Sequence, residues 1–339
     1  MTSVLITGAA GFIGHHVVEE ILEKTTWNIV TLDRLDYSGN LNRLHEIISR
    51  APAEDRTRVK VVFHDLKAAL NQQVQDAIGE VDFIIHLAAG SHVDRSIAYP
   101  MEFVMDNVVG TVNLLDYART LPNLKQFMYF STDEVFGPAS GAIRFKENDR
   151  YNSTNPYSAS KAAGEEMAVA YQNTYNIPVI IAHSMNVFGE RQHPEKFIPM
   201  CIRKVLNDEI VDIHADNSMS IPGSRVYVHA KDVADAILFL LRYDMSTVPL
   251  PEEVIKCHKF NIVGEKEINN LSLARFIADE QGKELKYKLV DFHSSRPGHD
   301  LRYSLDGTKM KEMGWEPKPT DKRLTDLVRW SLKNKTWIQ

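Results

Sequence analysis

Residues 3–14 read Ser3-Val4-Leu5-Ile6-Thr7-Gly8-Ala9-Ala10-Gly11-Phe12-Ile13-Gly14, an apolar strand run that passes through three glycines into a stretch of helical spacing from Ile13 to Leu22. Glycines at such a junction let the backbone turn tightly and approach a pyrophosphate, whose charge the helix N-terminus favours. The spacing is G-x-x-G-x-x-G, and a tight strand-to-helix turn with no ligand would also tolerate it. Its place after the first strand of a βαβ pattern favours the binding role. Gly8, Gly11, Phe12, Ile13 and Gly14 are therefore the first candidate binding residues.

Further apolar runs predict strands at Asn28–Leu32, Lys60–Phe63, Asp82–Leu87, Gln126–Phe130 and Val179–Ala182, with a seventh at Lys259–Val263. Helical spacing separates them at Leu66–Ile78, Val104–Ala118 and Ala159–Tyr171. That alternation predicts an α/β fold, a doubly wound parallel sheet covered on both faces. The long excursion from about Ser184 predicts a smaller second lobe built from two pieces of chain. The expected division is 1–183 with 226–263 for the sheet domain, and 184–225 with 264–339 for the smaller lobe. A chain of 339 residues with 44% hydrophobic content can support both.

The net charge of −6 carries no basic cluster, so no nucleic-acid partner is expected. Ala236–Leu241 is too short to cross a bilayer. With a strand so near the start and no apolar leader, a cytoplasmic setting without membrane association is the expectation. Two cysteines, Cys201 and Cys257, without metal-like spacing fit a reducing compartment. His15, His16, His92 and His299 show no metal-ligand spacing with a supporting carboxylate, so no metal is expected.

Asp33 ends the second predicted strand, 19 residues beyond Gly14. Its carboxylate suits a ribose diol and would repel a 2′-phosphate, which favours NAD over NADP, although Arg34 beside it weakens that preference. Asp65 and Leu66 follow the third strand, and Leu87-Ala88-Ala89 follow the fourth. Asp65 could hold an adenine amino group or simply cap a loop.

The fifth strand run leads into Ser131-Thr132-Asp133-Glu134-Val135-Phe136-Gly137, which lands two adjacent acids on the sheet edge where ligands sit. Downstream, Tyr157 and Lys161 are four residues apart and share a helix face. A cation about 4 Å from the phenol is worth roughly 4 kcal/mol in a partly screened site, enough to bring Tyr157 towards neutrality as a base. Two acids of opposite protonation state suit an elimination, because one must accept a proton while the other gives one.

With these motifs in place, the chain resembles the extended short-chain dehydrogenase/reductase family, and within it the nucleotide-sugar 4,6-dehydratases of the dTDP-glucose 4,6-dehydratase type. The resemblance is carried by Gly8 to Gly14; Asp33 with Tyr37-Ser38-Gly39-Asn40; His86 to Ala89 followed by Ser91 to Ser96; Asn107 with Gly110-Thr111; Thr132 to Gly137; Tyr157 with Lys161; Pro194-Glu195-Lys196; and Arg296 to Asp300. It implies a Rossmann domain with a mixed α/β substrate lobe, NAD as cofactor and a nucleotide-diphosphate sugar as substrate. Tyr157, with Thr132 and Lys161, would remove the C4 hydroxyl proton as hydride leaves for NAD⁺. Glu134 would then take the C5 proton while Asp133 protonates the departing C6 hydroxyl, and hydride would return to C6. Asn107 is implied near the cofactor, with Ser91, His92, Asn186, Glu195, Lys196, Arg225 and Arg296 about the substrate. Arg296 offers the better diphosphate fork, and either arginine could instead be a solvated surface residue. The family also implies a homodimer through helices near Val104–Ala118 and Ala159–Tyr171, whose spacing an internal core would satisfy equally.

Four positions depart from the family pattern. Gly90 stands where glutamate is usual, Val187 replaces the second of two asparagines, Phe136 replaces a tyrosine, and Asp216–Val228 lacks the Arg-Asp-Trp motif. UDP-glucose therefore rivals dTDP-glucose as the expected substrate. A UDP-sugar epimerase or decarboxylase is the enzymatic alternative, and a non-catalytic NAD-binding regulator is a remote one.

Overall fold

The computed structural model describes residues 1–250, 257–291 and 302–339. Seven parallel strands form the main sheet: β1 (Ser3–Thr7), β2 (Asn28–Asp33), β3 (Val59–Phe63), β4 (Phe83–His86), β5 (Gln126–Thr132), β6 (Val179–Ser184) and β10 (His258–Ile262). Their spatial order is β10-β6-β5-β4-β1-β2-β3, so the chain winds outward in both directions from β1 and β4. Near-continuous apolar strands are what a sheet covered on both faces requires. Val4, Ile6, Ile29, Ile85, Met128 and Ile180 point to one face. The alternating Leu5, Val30, Ile84, Phe127, Tyr129 and Ile181 point to the other.

The first face is covered by the helices Phe12–Lys24 and Ala230–Arg242, the second by Gly110–Ala118 and Pro156–Tyr175. Register aligns Thr7 with His86 and Thr132 with Ser184, so the C-terminal ends of β1, β4, β5 and β6 share one edge. Buried His86 ties three elements there through Thr7 Oγ1 at 2.8 Å and Thr111 Oγ1 at 3.0 Å. Burial pushes its pKa down to about 3, which keeps the ring neutral.

The remaining strands are short: β7 (Asn186–Phe188), β8 (Val211–Ala215), β9 (Ser224–His229), β11 (Glu267–Asn269) and β12 (Tyr287–Asp291). They form a three-stranded sheet of order β11-β9-β7 and a β8-β12 pair. The helices Phe197–Leu206, Asn270–Glu280 and Thr320–Lys333 enclose a separate apolar cluster beside them.

Two expected helices differ from the sequence pattern. Leu66–Ile78 is helical only over Gln72–Ile78, because the Asn71 side chain accepts from Val74 N and sets the N-terminus there. Val104–Ala118 lies in a continuous helical run from Pro100 to Ala118, with a π-turn at Met105–Val109 in its middle. No described helix is long and apolar enough to cross a membrane.

Candidate active site

A cavity of about 350 Å³ opens along the shared sheet edge. At one end lies the glycine turn. Gly8 has φ +70°, and a Cβ there would sit 2.8 Å from Ala88 N. A Cβ at Gly14 would press on the Gly8 carbonyl and lie 2.6 Å from Ala9 Cα, so both positions admit glycine alone. Gly11 caps the Phe12–Lys24 helix without a side chain, leaving its first N–H groups to a ligand. Gly8, Gly11, Phe12, Ile13 and Gly14 all line the cavity. This cradle of close-approach backbone and helix N-terminus fits a dinucleotide pyrophosphate.

Beside it, the Asp33 carboxylate accepts hydrogen bonds from Ala10 N at 2.9 Å and Leu35 N at 3.1 Å, which fixes its aim. Arg34 does not counter it. Its guanidinium is forked onto Asp106 at 2.5 and 2.8 Å, reaches Asp36 at 2.7 Å, and lies 3.6 Å from Asp65. The Asp106 hydrogen bond raises the arginine's pKa further still. Arg34 is thus committed to other carboxylates, which works against the expectation that it weakens the NAD preference, and Asp33 lines the cavity with burial raising its pKa. Asp65 lines the cavity and also accepts from Lys67 N at 3.0 Å, so it caps the turn while facing the cavity. Leu66, Leu87, Ala88 and Ala89 complete this wall.

Asn107 takes a different place. It sits in the π-turn, buried, where its Oδ1 accepts from Gly90 N at 2.8 Å and its Nδ2 donates to Gly90 O at 3.0 Å and Ser160 Oγ at 2.8 Å. Instead of facing the cavity, it anchors the loop after β4 to the helix that carries Tyr157. Gly90 has no room for a longer side chain without movement, since a Cβ would lie 3.1 Å from the Phe103 ring and 3.3 Å from Asp106.

Thr132, Asp133, Glu134, Tyr157 and Lys161 meet in the middle of the cavity. β5 runs two residues beyond its apolar stretch and ends at Thr132, and Asp133–Phe136 forms a 3₁₀ turn. Thr132 Oγ1 donates to Asp133 Oδ1 at 3.2 Å and its side chain hydrogen-bonds the Tyr157 phenol. Asp133 is 4% exposed, and burial, then the neighbouring Glu134 charge, push its carboxyl up to about 7. Its Oδ2 is buried with no hydrogen-bond partner among the described residues. Glu134 is half-buried, and its Oε2 accepts from Asn155 Nδ2 at 3.0 Å. In the aromatic layer behind, Phe136 stacks on Phe145 and meets His183 edge-on.

The Tyr157–Lys161 pair corrects the sequence reading. Lys161 Nζ donates to the Phe130 carbonyl at 2.7 Å and lies 4.2 Å from the Tyr129 ring centroid, and burial lowers its pKa to about 7. Burial and then Glu134 raise the Tyr157 phenol. Sharing a helix face did not commit the ammonium to the phenol, because the Phe130 carbonyl accepts its hydrogen bond.

Ser91, His92, Asn186, Glu195 and Lys196 line the far end. His92 Nε2 lies 3.9 Å from Glu195, and His193 Nδ1 is 3.0 Å from the same carboxylate. Arg225 is not among the lining residues. On β9 it lies 5.0 Å from the Tyr303 ring centroid, and its charge partly offsets the rise in the Asp133 pKa. Arg296 lies outside the described residues. Asn155 was missed by sequence reasoning, although an asparagine before Pro156 at a helix start was a readable cap signal. The Tyr37 ring, 3.9 Å beneath the Arg95 guanidinium, and Gln192 also line the cavity and were not anticipated as site residues. Among the described residues no group of three or more His, Cys, Asp or Glu could hold a metal ion.

Comparison with known proteins gives this geometry relatives. The chain is 34% identical to the dTDP-glucose 4,6-dehydratase of Escherichia coli, over 99% of this chain and 95% of that protein. It is 33% identical, over 99% of its own length and 48% of the relative's, to a trifunctional UDP-glucose 4,6-dehydratase/UDP-4-keto-6-deoxy-D-glucose 3,5-epimerase/UDP-4-keto-L-rhamnose-reductase of Arabidopsis thaliana. Among solved structures, the dTDP-glucose 4,6-dehydratase of Streptomyces venezuelae, determined with NAD bound, matches with a TM-score of 0.83 at 32% identity, covering 99% of this chain and 98% of that one. The GDP-mannose 4,6 dehydratase family model matches residues 5–328, and the chain belongs to that family.

Proposed function

We propose that the protein is an NAD-dependent nucleotide-sugar 4,6-dehydratase that converts a dTDP- or UDP-hexose to its 4-keto-6-deoxy derivative. The observation that carries this reading is the Asp133–Glu134 pair, held beside Thr132 and Tyr157 in the cavity that also contains the glycine cradle. An epimerase needs only the oxidation machinery, whereas an elimination also needs a base and a proton donor.

NAD held by the Gly8–Gly14 turn and Asp33 would supply the hydride acceptor for C4 and the hydride donor for C6. The chain's own residues move the protons. Tyr157, hydrogen-bonded to Thr132, takes the C4 hydroxyl proton. Burial and Glu134 favour its protonated form, so it would accept that proton only where the positive charge of a bound oxidised nicotinamide, with the buried Lys161 one helical turn along the same face, favours the phenolate. With a ketone at C4 the C5 proton becomes acidic, and the half-buried Glu134 carboxylate removes it. Asp133, protonated below about pH 7, gives its proton to the departing C6 hydroxyl.

In this reading residues 184–225 and 264–339 form the lobe that receives the nucleotide sugar against the sheet domain of 1–183 and 226–263. Ser91, His92, Asn186, Glu195 and Lys196 are the sugar and phosphate contacts. The buried, unpaired thiols Cys201 and Cys257 support a reducing, cytoplasmic setting. A homodimer through the helices near Val104–Ala118 and Ala159–Tyr171 belongs to this reading, and exposed Val104 at the start of the first supports it.

The test is incubation of the NAD-loaded protein with dTDP-glucose, UDP-glucose and other nucleotide hexoses, followed by mass measurement. The expected product has lost one water. Unchanged mass with every hexose, in protein that is folded and cofactor-loaded, would overturn the reading, and loss of carbon dioxide from a uronic acid substrate would replace it with a decarboxylase.

A further inference from the structure

The geometry points to Asn155 as a positioning residue that aims the Glu134 carboxylate, tying the elimination base to the helix that carries Tyr157. This inference rests on the proposed role of Glu134 as C5 base. Asn155 is 6% exposed and caps the Pro156–Tyr175 helix. Its Oδ1 accepts from Ser158 N at 2.9 Å, and its own N–H donates to Ser158 Oγ at 3.4 Å, closing a capping box.

Because the cap commits the oxygen end of the amide to Ser158, the nitrogen end is the one that meets Glu134 Oε2 at 3.0 Å. Serine, threonine and aspartate cap helices as well as asparagine does, yet none of them retains an N–H donor after capping. The cap alone therefore does not account for an amide here. A second link reinforces the first: Asn152 N donates to Val135 O at 2.9 Å, fastening the 3₁₀ turn to the segment that leads into the helix. Glu134 and Tyr157 are thus referenced to one rigid element, although they come from different parts of the chain.

A hydrogen bond donated to a carboxylate favours its ionised form, and a base must be ionised to act. Removing the donor therefore raises the pH at which Glu134 becomes competent. The decisive variant is Asn155→Ser, which keeps a helix cap and loses the amide N–H, compared with Asn155→Asp, which keeps the shape and turns a second carboxylate towards Glu134.

With NAD-loaded protein and dTDP-glucose or UDP-glucose, whichever the wild type dehydrates, single-turnover nicotinamide absorbance reads C4 oxidation and product mass reads elimination. N155S is expected to oxidise C4 at close to the wild-type rate and to eliminate about ten- to a hundredfold more slowly, the range of a hydrogen bond to a charged group. The acidic limb of its elimination profile moves to higher pH, and further in N155D. In the Glu134→Gln background the N155S effect disappears. Equal slowing of both steps with an unmoved acidic limb, or an undiminished N155S effect in the E134Q background, would reduce Asn155 to a helix cap and overturn the proposal. Wild-type turnover in E134Q would instead remove Glu134 as the base, a different failure from an impaired E134Q beside an unaffected N155S.

Discussion

Asp133 and Glu134 are adjacent in the chain but sit in different surroundings, and that difference suits them to the donor and acceptor roles of the proposed elimination. Asp133 is buried, with one oxygen unpartnered among the described residues, while Glu134 is half-buried and accepts from Asn155. Burial and the Glu134 charge lift the Asp133 pKa to about 7. Because the donor must hold its proton, elimination is expected to decline as pH rises through about 7, with NADH accumulating in single turnovers on the alkaline side. Asp133→Asn should remove that limb and slow elimination by about 10²–10⁴-fold. Stability changes in the opposite sense. A carboxyl whose folded pKa exceeds its unfolded value stabilises the fold at low pH and loses that contribution as pH rises through about 7. D133N should therefore melt higher than wild type above that pH; a lower melting temperature there would contradict the assigned ionisation. The types and spacing of these residues were legible in the sequence. Their protonation was not, because it depends on burial and on charges such as Arg225 that come from distant parts of the chain, which no local spacing reports.

The helix Pro156–Tyr175 organises the site at the scale of elements, because it carries Tyr157 and Lys161, is capped by Asn155 and receives Asn107 through Ser160. Its approach to the π-turn is set by Gly164, where a Cβ would lie 2.5 Å from both the Asn107 carbonyl and the Tyr129 hydroxyl. Gly164→Ala must push the helix outward or break that Tyr129 contact, and overpacking of this kind costs about 1–3 kcal/mol. The expected outcome is a lowered melting temperature together with weakened NAD binding by calorimetry, since the displaced Asn107 no longer pins the Gly90 loop. An unchanged melting temperature would mean that the helices have slack at this crossing. The sequence pattern made the two helices readable and left the π-turn invisible, because one extra residue per turn does not disturb the apolar stripe enough to register. The early boundary at Leu66 has a local cause: Leu66 and Leu70 are buried at helical spacing, yet both belong to the loop that precedes the Asn71 cap.

Across the whole molecule, the seven-stranded sheet was legible because its inner strands are buried apolar runs and even the largely exposed edge strand β3 keeps an apolar run, whereas the smaller sheets were not legible. β7 and β11 have three residues each, and their partners are fixed by contacts distant in sequence, which no local period reports. Where the two parts of the chain meet, several ion pairs bridge them among the described residues, Arg191 with Glu46 and Arg323 with Asp232 among them, and the second joins two helices. Asp232, in the first turn of the Ala230–Arg242 helix that covers the main sheet, is 4% exposed. It accepts from two nitrogens of the Arg323 guanidinium, Nε at 3.2 Å and Nη2, and Arg323 belongs to the Thr320–Lys333 helix beside the smaller sheets. Deleting the cation strands a buried carboxylate, which costs about 3–5 kcal/mol, with the lower end favoured because a helix N-terminus partly stabilises the charge. Arg323→Met should therefore lower the melting temperature by several degrees and weaken substrate binding more than NAD binding, because the cofactor cradle lies wholly within the sheet domain. Adding Asp232→Asn to R323M removes the stranded charge and should recover much of the loss. If R323M melts with wild type, or if the double variant is no more stable than R323M, the pair does not hold these helices together.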